Sequence, residues 1–223
     1  NMSKEIKNEN AEAVAEAVSK TELFLNKNKN VILSVLGAVV LIGAGYFCYH
    51  KFLYQPQVAE AQEQTYPAEA NFRNAEYELA LNGDGNVLGF AQIIDEYGAK
   101  AGRAVYFYAG VCELQLGNYE SAISYLKSYK GKDEILAARA LACIGDAYVG
   151  LEDYSTALSW FEKAAAKADN QFAAGYLLKA GVVCEELGND DKALAFYKRI
   201  KDSYPQSMEG YDIDKYISRI ENK

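Results

Sequence analysis

Histidine is the scarcest chemistry-bearing residue in this chain of 223 amino acids, occurring once, at position 50. No nucleophile elbow and no phosphate-cradling glycine loop accompanies it, and the acidic residues scatter along the chain instead of converging. Catalysis therefore has little to stand on, and neither a cofactor nor a small-molecule substrate is expected. Positive charge is short as well. Lys and Arg number 23 against 31 Asp and Glu, for a net charge of −8, and because residues 1–56 hold six Lys and five Glu the remainder carries −9. Such a surface repels a phosphate backbone, which argues against nucleic acid as a partner. The four cysteines, Cys48, Cys112, Cys143 and Cys184, include no Cys-x-x-Cys pair. They suggest neither a zinc cluster nor a thioredoxin-like centre.

Charge is absent altogether from Val31 to Tyr49, 19 consecutive residues. As a helix rising ~1.5 Å per residue that run spans roughly 28 Å, about one bilayer core. A cleaved signal peptide has a shorter apolar region nearer the terminus and a small-x-small site after it. A lipoprotein anchor needs a small residue where Phe47 precedes Cys48. Residues 31–52 therefore read as one uncleaved transmembrane helix. Gly37, Gly43 and Gly45 bare its backbone to a neighbouring membrane helix, and Tyr46, Tyr49, Phe52 and Tyr54 form an aromatic belt at one interface. Lys20, Lys27 and Lys29 on the amino side, against Lys51 on the other, put the amino end in the cytoplasm and the rest of the chain across the membrane. Residues 1–30 are a polar tail in which Ala13, Val14, Ala17 and Val18 make a weakly amphipathic stretch, either a frayed helix or a mobile leader, solvated or docked on a membrane neighbour.

Further along, small residues recur in pairs: Gly110 with Ala122, Gly145 with Ala157, Gly181 with Ala193. Their steps of 35 and 36 residues mark a repeat. A bulky residue follows in phase at Leu126, Phe161 and Tyr197, and each copy holds a turn: Leu116-Gly117-Asn118, Leu151-Glu152-Asp153 and Leu187-Gly188-Asn189. Gly suits the left-handed end of one helix, and Asn or Asp the cap of the next. Small residues where two antiparallel helices cross, with Tyr148 and Phe161 filling the space beside them, describe helical hairpins. The pattern resembles the tetratricopeptide repeat (TPR), although Glu113 and Cys184 stand where that family prefers Tyr, Glu152 replaces the turn glycine, and only the last copy ends in proline, at Pro205.

The fold expected is all-α: a single N-terminal transmembrane helix, then a TPR-like α-solenoid of hairpins with a C-terminal capping helix. Residues 53–102 are a connecting helix and a degenerate hairpin, with helix from Gln55 to Leu81, Pro67 as its start or kink, a stripe of Ala70, Asn71, Ala75, Leu79 and Ala80, and a second helix on Phe90, Ile93, Ile94 and Tyr97. Asn82 to Asn86 offers oxygen ligands but lacks the closing Glu of a calcium loop, and reads as a turn. Repeats fill 103–137, 138–172 and 173–205, and residues 206–223 cap the last with Ile213, Tyr216, Ile217 and Ile220. Cys112, Cys143 and Cys184 then fall on the first helices as small buried thiols, although unpaired thiols sit awkwardly outside the cytoplasm.

In the TPR family the ligand-facing positions of the first helices correspond here to Phe107, Val111 and Leu114, then Arg139, Ala142 and Asp146, then Leu178, Val182 and Glu185. The resemblance implies a groove, apolar at one end and of mixed charge beyond, for an extended or helical peptide segment. The family's carboxylate clamp is not implied, because Phe107, Val111 and Gly175 hold three of its positions. The order of parts is similar to YfgM-type ancillary subunits of the Sec translocon. That likeness implies a bacterial inner-membrane protein with its repeats in the periplasm, whose partners are translocon subunits, a membrane-anchored chaperone of the PpiD type and unfolded secretory chains. A scaffold holding one folded partner in an envelope assembly, or a receptor facing the cytoplasm, are the alternatives.

Overall fold

The computed structural model describes residues 2–168 and 170–222, with side chains from Val18 onward. Among them there is helix and no strand. The chain divides into two compact units, Asn1–Pro56 and Gln57–Lys223.

In the first unit, α1 (Met2–Tyr49) runs without a break through both the polar leader and the apolar run. The side chains of Ala13, Val14 and Ala17 lie outside those described. From Val31 to Phe47 the large apolar side chains other than the half-buried Ile32 are exposed, and nothing approaches Gly37, Gly43 or Gly45. A helix apolar all round needs apolar surroundings, and this one is long and apolar enough to cross a membrane. It ends in a π-helical turn, His50–Tyr54, that stacks the His50 ring between Tyr46 at 5.9 Å and Tyr54 at 5.3 Å.

The second unit is a row of helix pairs: α2 (Gln55–Arg73), α3 (Tyr77–Asn82), α4 (Phe90–Tyr97) and a short 3-10 turn, then α5 (Ala104–Gln115) with α6 (Tyr119–Ser128), α7 (Glu134–Gly150) with α8 (Tyr154–Ala168), and α9 (Ala173–Glu186) with α10 (Asp190–Ser203). The three later hairpins close identically. The amide of Asn118 donates to the Glu113 carbonyl at 2.9 Å, that of Asp153 to Tyr148 at 2.9 Å and that of Asn189 to Cys184 at 2.8 Å. The residue before each is left-handed: Gly117 at φ 80°, Glu152 at φ 59° and Gly188 at φ 70°. Side-chain caps follow at Asp153, which accepts from the Thr156 amide at 3.0 Å, and at Asn189, which accepts from the Lys192 amide at 3.1 Å. Asn118 instead spends its side chain on Glu113, at 2.8 Å.

The knob of each second helix lies over the glycine of the first. An added Cβ on Gly110 would meet Leu126, one on Gly145 would meet Phe161, and one on Gly181 would meet Tyr197. Phe161 thus occupies the space above Gly145 itself rather than beside it, while Tyr148 is only half-buried.

Where one helix was expected from Gln55 to Leu81, the chain turns. Ala75 takes φ 61° and the Glu76 amide reaches back to the Asn71 carbonyl at 2.9 Å, the same closure as in the later hairpins. After the turn, Ala80 and Leu81 are buried in a core with Phe90, Ile93, Val105 and Cys112. Pro67 lies inside α2, and its missing N–H falls opposite the exposed Glu63. In the loop after α3 the Asp84 carboxylate accepts from the amides of Val87 and Asn86, at 2.9 and 2.8 Å, which holds its pKa below the usual carboxylate value. At the far end α11 (Met208–Glu221), capped by Ser207, lays Ile213, Ile217 and Ile220 against Leu177, Tyr197 and Ile200.

Candidate functional site

Helices α5, α7 and α9 each turn one face away from α6, α8 and α10, and that face carries most of the sequence-predicted ligand positions. Val111 and Leu114 of α5, with Arg139, Ala142 and Asp146 of α7, line one hollow of about 350 Å³. Leu178 and Val182 of α9 line a second, of about 240 Å³, and Asp146 borders both. Lys179 joins them: its ammonium sits 2.6 Å from both carboxylate oxygens of Asp146, a clasp between α7 and α9. The pair is part-exposed, so it contributes about 0–1 kcal/mol and acts mainly to fix the spacing of the two helices. Arg139 is exposed, and among the described residues no carboxylate pairs with it. The surface is therefore an apolar trough floored by the buried Val111 and Ala142, with Val182 at 39% exposure, crossed by one neutralised ion pair and edged by the unpaired guanidinium of Arg139.

Two positions fall elsewhere. Phe107 is 3% exposed and packs edge-on to Tyr108 and Tyr129, so it belongs to the core. Glu185 faces the capping helix: it accepts from the Tyr197 hydroxyl at 2.6 Å and from Arg219 at 2.5 Å. Burial, and then the adjoining Glu185 carboxylate, raise the Tyr197 pKa above its ordinary value.

Sequence reasoning missed Ile135, Phe172, Tyr176 and Lys179, which line the first hollow with the expected residues. Ile135 and Phe172 are both 51% exposed. A signal existed for Ile135, which stands one helical turn before Arg139 on the stripe that continues to Ala142 and Asp146. Cys143 also borders the hollow, but burial, with Asp146 nearby, pushes its thiol up to about 11, against the smaller opposing pull of Lys179 and Arg139. It stays protonated and unreactive at neutral pH.

Tetratricopeptide-repeat models match residues 104–133 and 144–207, which hold Val111, Leu114, Asp146, Leu178 and Val182 of this face, while Ile135, Arg139 and Ala142 fall between the two matches. Two crystal structures of MamA are similar in fold. One superposes with a TM-score of 0.53 at 16% identity, covering 74% of this chain and 87% of that one. The other gives 0.52 at 17%, covering 70% and 92%. Comparison with curated protein sequences gives no match. The matched segments are tetratricopeptide repeats, and the chain carries a TPR protein–protein interaction module behind a long apolar helix.

Proposed function

We propose that this chain is a membrane-tethered interaction module whose TPR groove, outside the cytoplasm, holds extended or helical segments of secreted or envelope proteins beside the Sec translocon. The observation that carries the reading is the trough across α5, α7 and α9, in which Val111, Leu114 and Val182 stand on either side of the Asp146–Lys179 clasp. A trough of that kind suits a polypeptide, whose apolar side chains enter the hollows while its amides meet the polar rim. The uncharged run from Val31 to Tyr49 supports the tether, and the excess of Lys on its amino side supports the orientation. Tethering raises the local concentration of the groove near emerging chains, so contacts too weak for capture from free solution suffice. The layout, a short tail, an apolar run and acidic repeats, supports the translocon as neighbour.

The test is crosslinking in intact cells from a photoreactive residue at Val182, with protease protection of residues beyond Lys51 in sealed cells and in spheroplasts. The proposal expects adducts with translocon or chaperone components and with secretory chains, and cleavage once the outer barrier is opened. Recovery of one folded envelope partner in fixed stoichiometry would favour a scaffold, and protection in spheroplasts a receptor facing the cytoplasm.

A further inference from the structure

On the other side of α7 lies a hollow of different character. Successive residues of an α-helix turn by about 100°, so Ala137, Ala140, Leu141 and Ile144 face away from the stripe of Ile135, Arg139, Ala142 and Asp146. The former floor a hollow of about 390 Å³ that Tyr129, Lys130 and Trp160 help to enclose. Its rim is cationic. The ammonium of Lys163 sits 4.3 Å from the Trp160 ring centroid, and that of Lys127 sits 5.5 Å from the same ring and 5.8 Å from the ring of Tyr148. Arg103 adds a guanidinium that donates to the Lys130 carbonyl.

The neighbouring lysines are neutralised: Lys167 by Glu134, Lys179 by Asp146 and Lys192 by Glu162. Among the described residues no carboxylate pairs with Lys127, Lys130 or Lys163. A unit that is acidic overall thus concentrates unpaired positive charge around one apolar hollow, with two ammonium groups held over an indole whose face favours them.

We propose that this hollow is a second docking site, for an acidic peptide segment carrying a bulky apolar side chain. The side chain enters between Trp160 and Tyr129 onto Leu141 and Ile144, displacing water that the apolar floor serves poorly. The flanking carboxylates meet Lys127, Lys130 and Lys163. An anionic bilayer fits less well. The charge of −9 beyond residue 56 opposes approach to an extended negative surface, whereas a short segment feels only the charges within about 10 Å at ordinary salt.

Trp160 is the only tryptophan in the chain, so its emission reports this hollow alone. Full-length protein in neutral detergent is titrated with the blocked pentapeptide Glu-Glu-Phe-Glu-Glu, and with versions in which Ala replaces Phe or Lys replaces every Glu. We expect a saturable emission change with the first and binding weakened at least about fivefold by the Ala version, with none from the Lys version. The double variant Lys127→Glu, Lys163→Glu changes exposed side chains and is expected to retain its melting curve while binding at least about tenfold more weakly. Val182→Asp, in the groove, is expected to leave this titration within about twofold, since distant sites act independently. Equal response to the Lys peptide, no saturable change into the millimolar range, or a response to phosphatidylserine vesicles without one to the peptide would overturn the proposal. None of these outcomes bears on crosslinking from the groove.

Discussion

A Cβ added to Gly145 would lie 2.6 Å from Cε1 of Phe161, closer than two carbons approach without one moving. Phe161 is 1% exposed and has nowhere to retreat. Gly145→Ala is therefore expected to destabilise the repeat unit by about 1–2 kcal/mol, the overpacking cost of about 1–3 kcal/mol less the better helix propensity of Ala. Urea unfolding measures it. Phe161→Leu in the same chain should recover part of the loss, and additive losses would mean that the two residues do not meet.

Glu152 stands at φ 59° where the other two hairpins place glycine. A side chain in the left-handed region costs about 1–2 kcal/mol, offset in part by the lower chain entropy of a non-glycine residue. Glu152→Gly should stabilise by roughly 0.5–1 kcal/mol, whereas Gly117→Ala and Gly188→Ala should each destabilise by a similar amount. Thermal melts of the three variants give the signs directly.

The capping helix is tied down through one oxygen of Glu185, which accepts from both Tyr197 and Arg219. Removing the buried hydroxyl by Tyr197→Phe leaves the ring in place but the carboxylate short of a donor, and is expected to cost about 1–2 kcal/mol. Arg219 is half exposed, and Arg219→Ala should cost less than about 1 kcal/mol. Hydrogen exchange would find the loss concentrated in α10 and α11.

Burial raises the thiol of Cys112 to about 12 and that of Cys143 to about 11, from a usual 9.0. In the unfolded chain both ionise near the usual value, so the folded state binds more protons as pH climbs past it. The stability these thiols provide is intact below about pH 9 and is lost as pH rises toward 11 and 12, at up to about 1.4 kcal/mol per pH unit for each group. The urea midpoint should fall between pH 8 and pH 10, and less steeply in the double variant Cys112→Ala, Cys143→Ala. Equal slopes would show the thiols to be accessible to base.

The repeats were legible because their signal is local and periodic. Gly110, Gly145 and Gly181, each followed twelve residues later by alanine, state the register of three hairpins without reference to anything distant. The turn at Ala75 was not, since alanine carries no mark of a left-handed backbone and is held there by the burial of Ala80 and Leu81 against α4 and α5. Along the groove, helical phase placed Val111, Leu114, Arg139, Ala142, Asp146, Leu178 and Val182 along the two hollows. It does not say which neighbour covers a position. Phe107 is closed over by Tyr129, and Glu185 is claimed by Arg219, 34 residues away. The basic hollow was equally hidden, because Lys127, Trp160 and Lys163 come from two helices that only the packing against α7 brings together.

The groove claim is tested most directly by placing one photoreactive residue at a time at Leu114, Val182 and Ala166 of the full-length membrane protein and comparing adducts in intact cells. Leu114 and Val182 line the hollows, while Ala166 is exposed on α8. The account predicts polypeptide adducts from the first two, and fewer from Leu114 when Arg139→Glu reverses the charge at the trough's edge. Comparable adducts from Ala166, or none from either groove position, would contradict it.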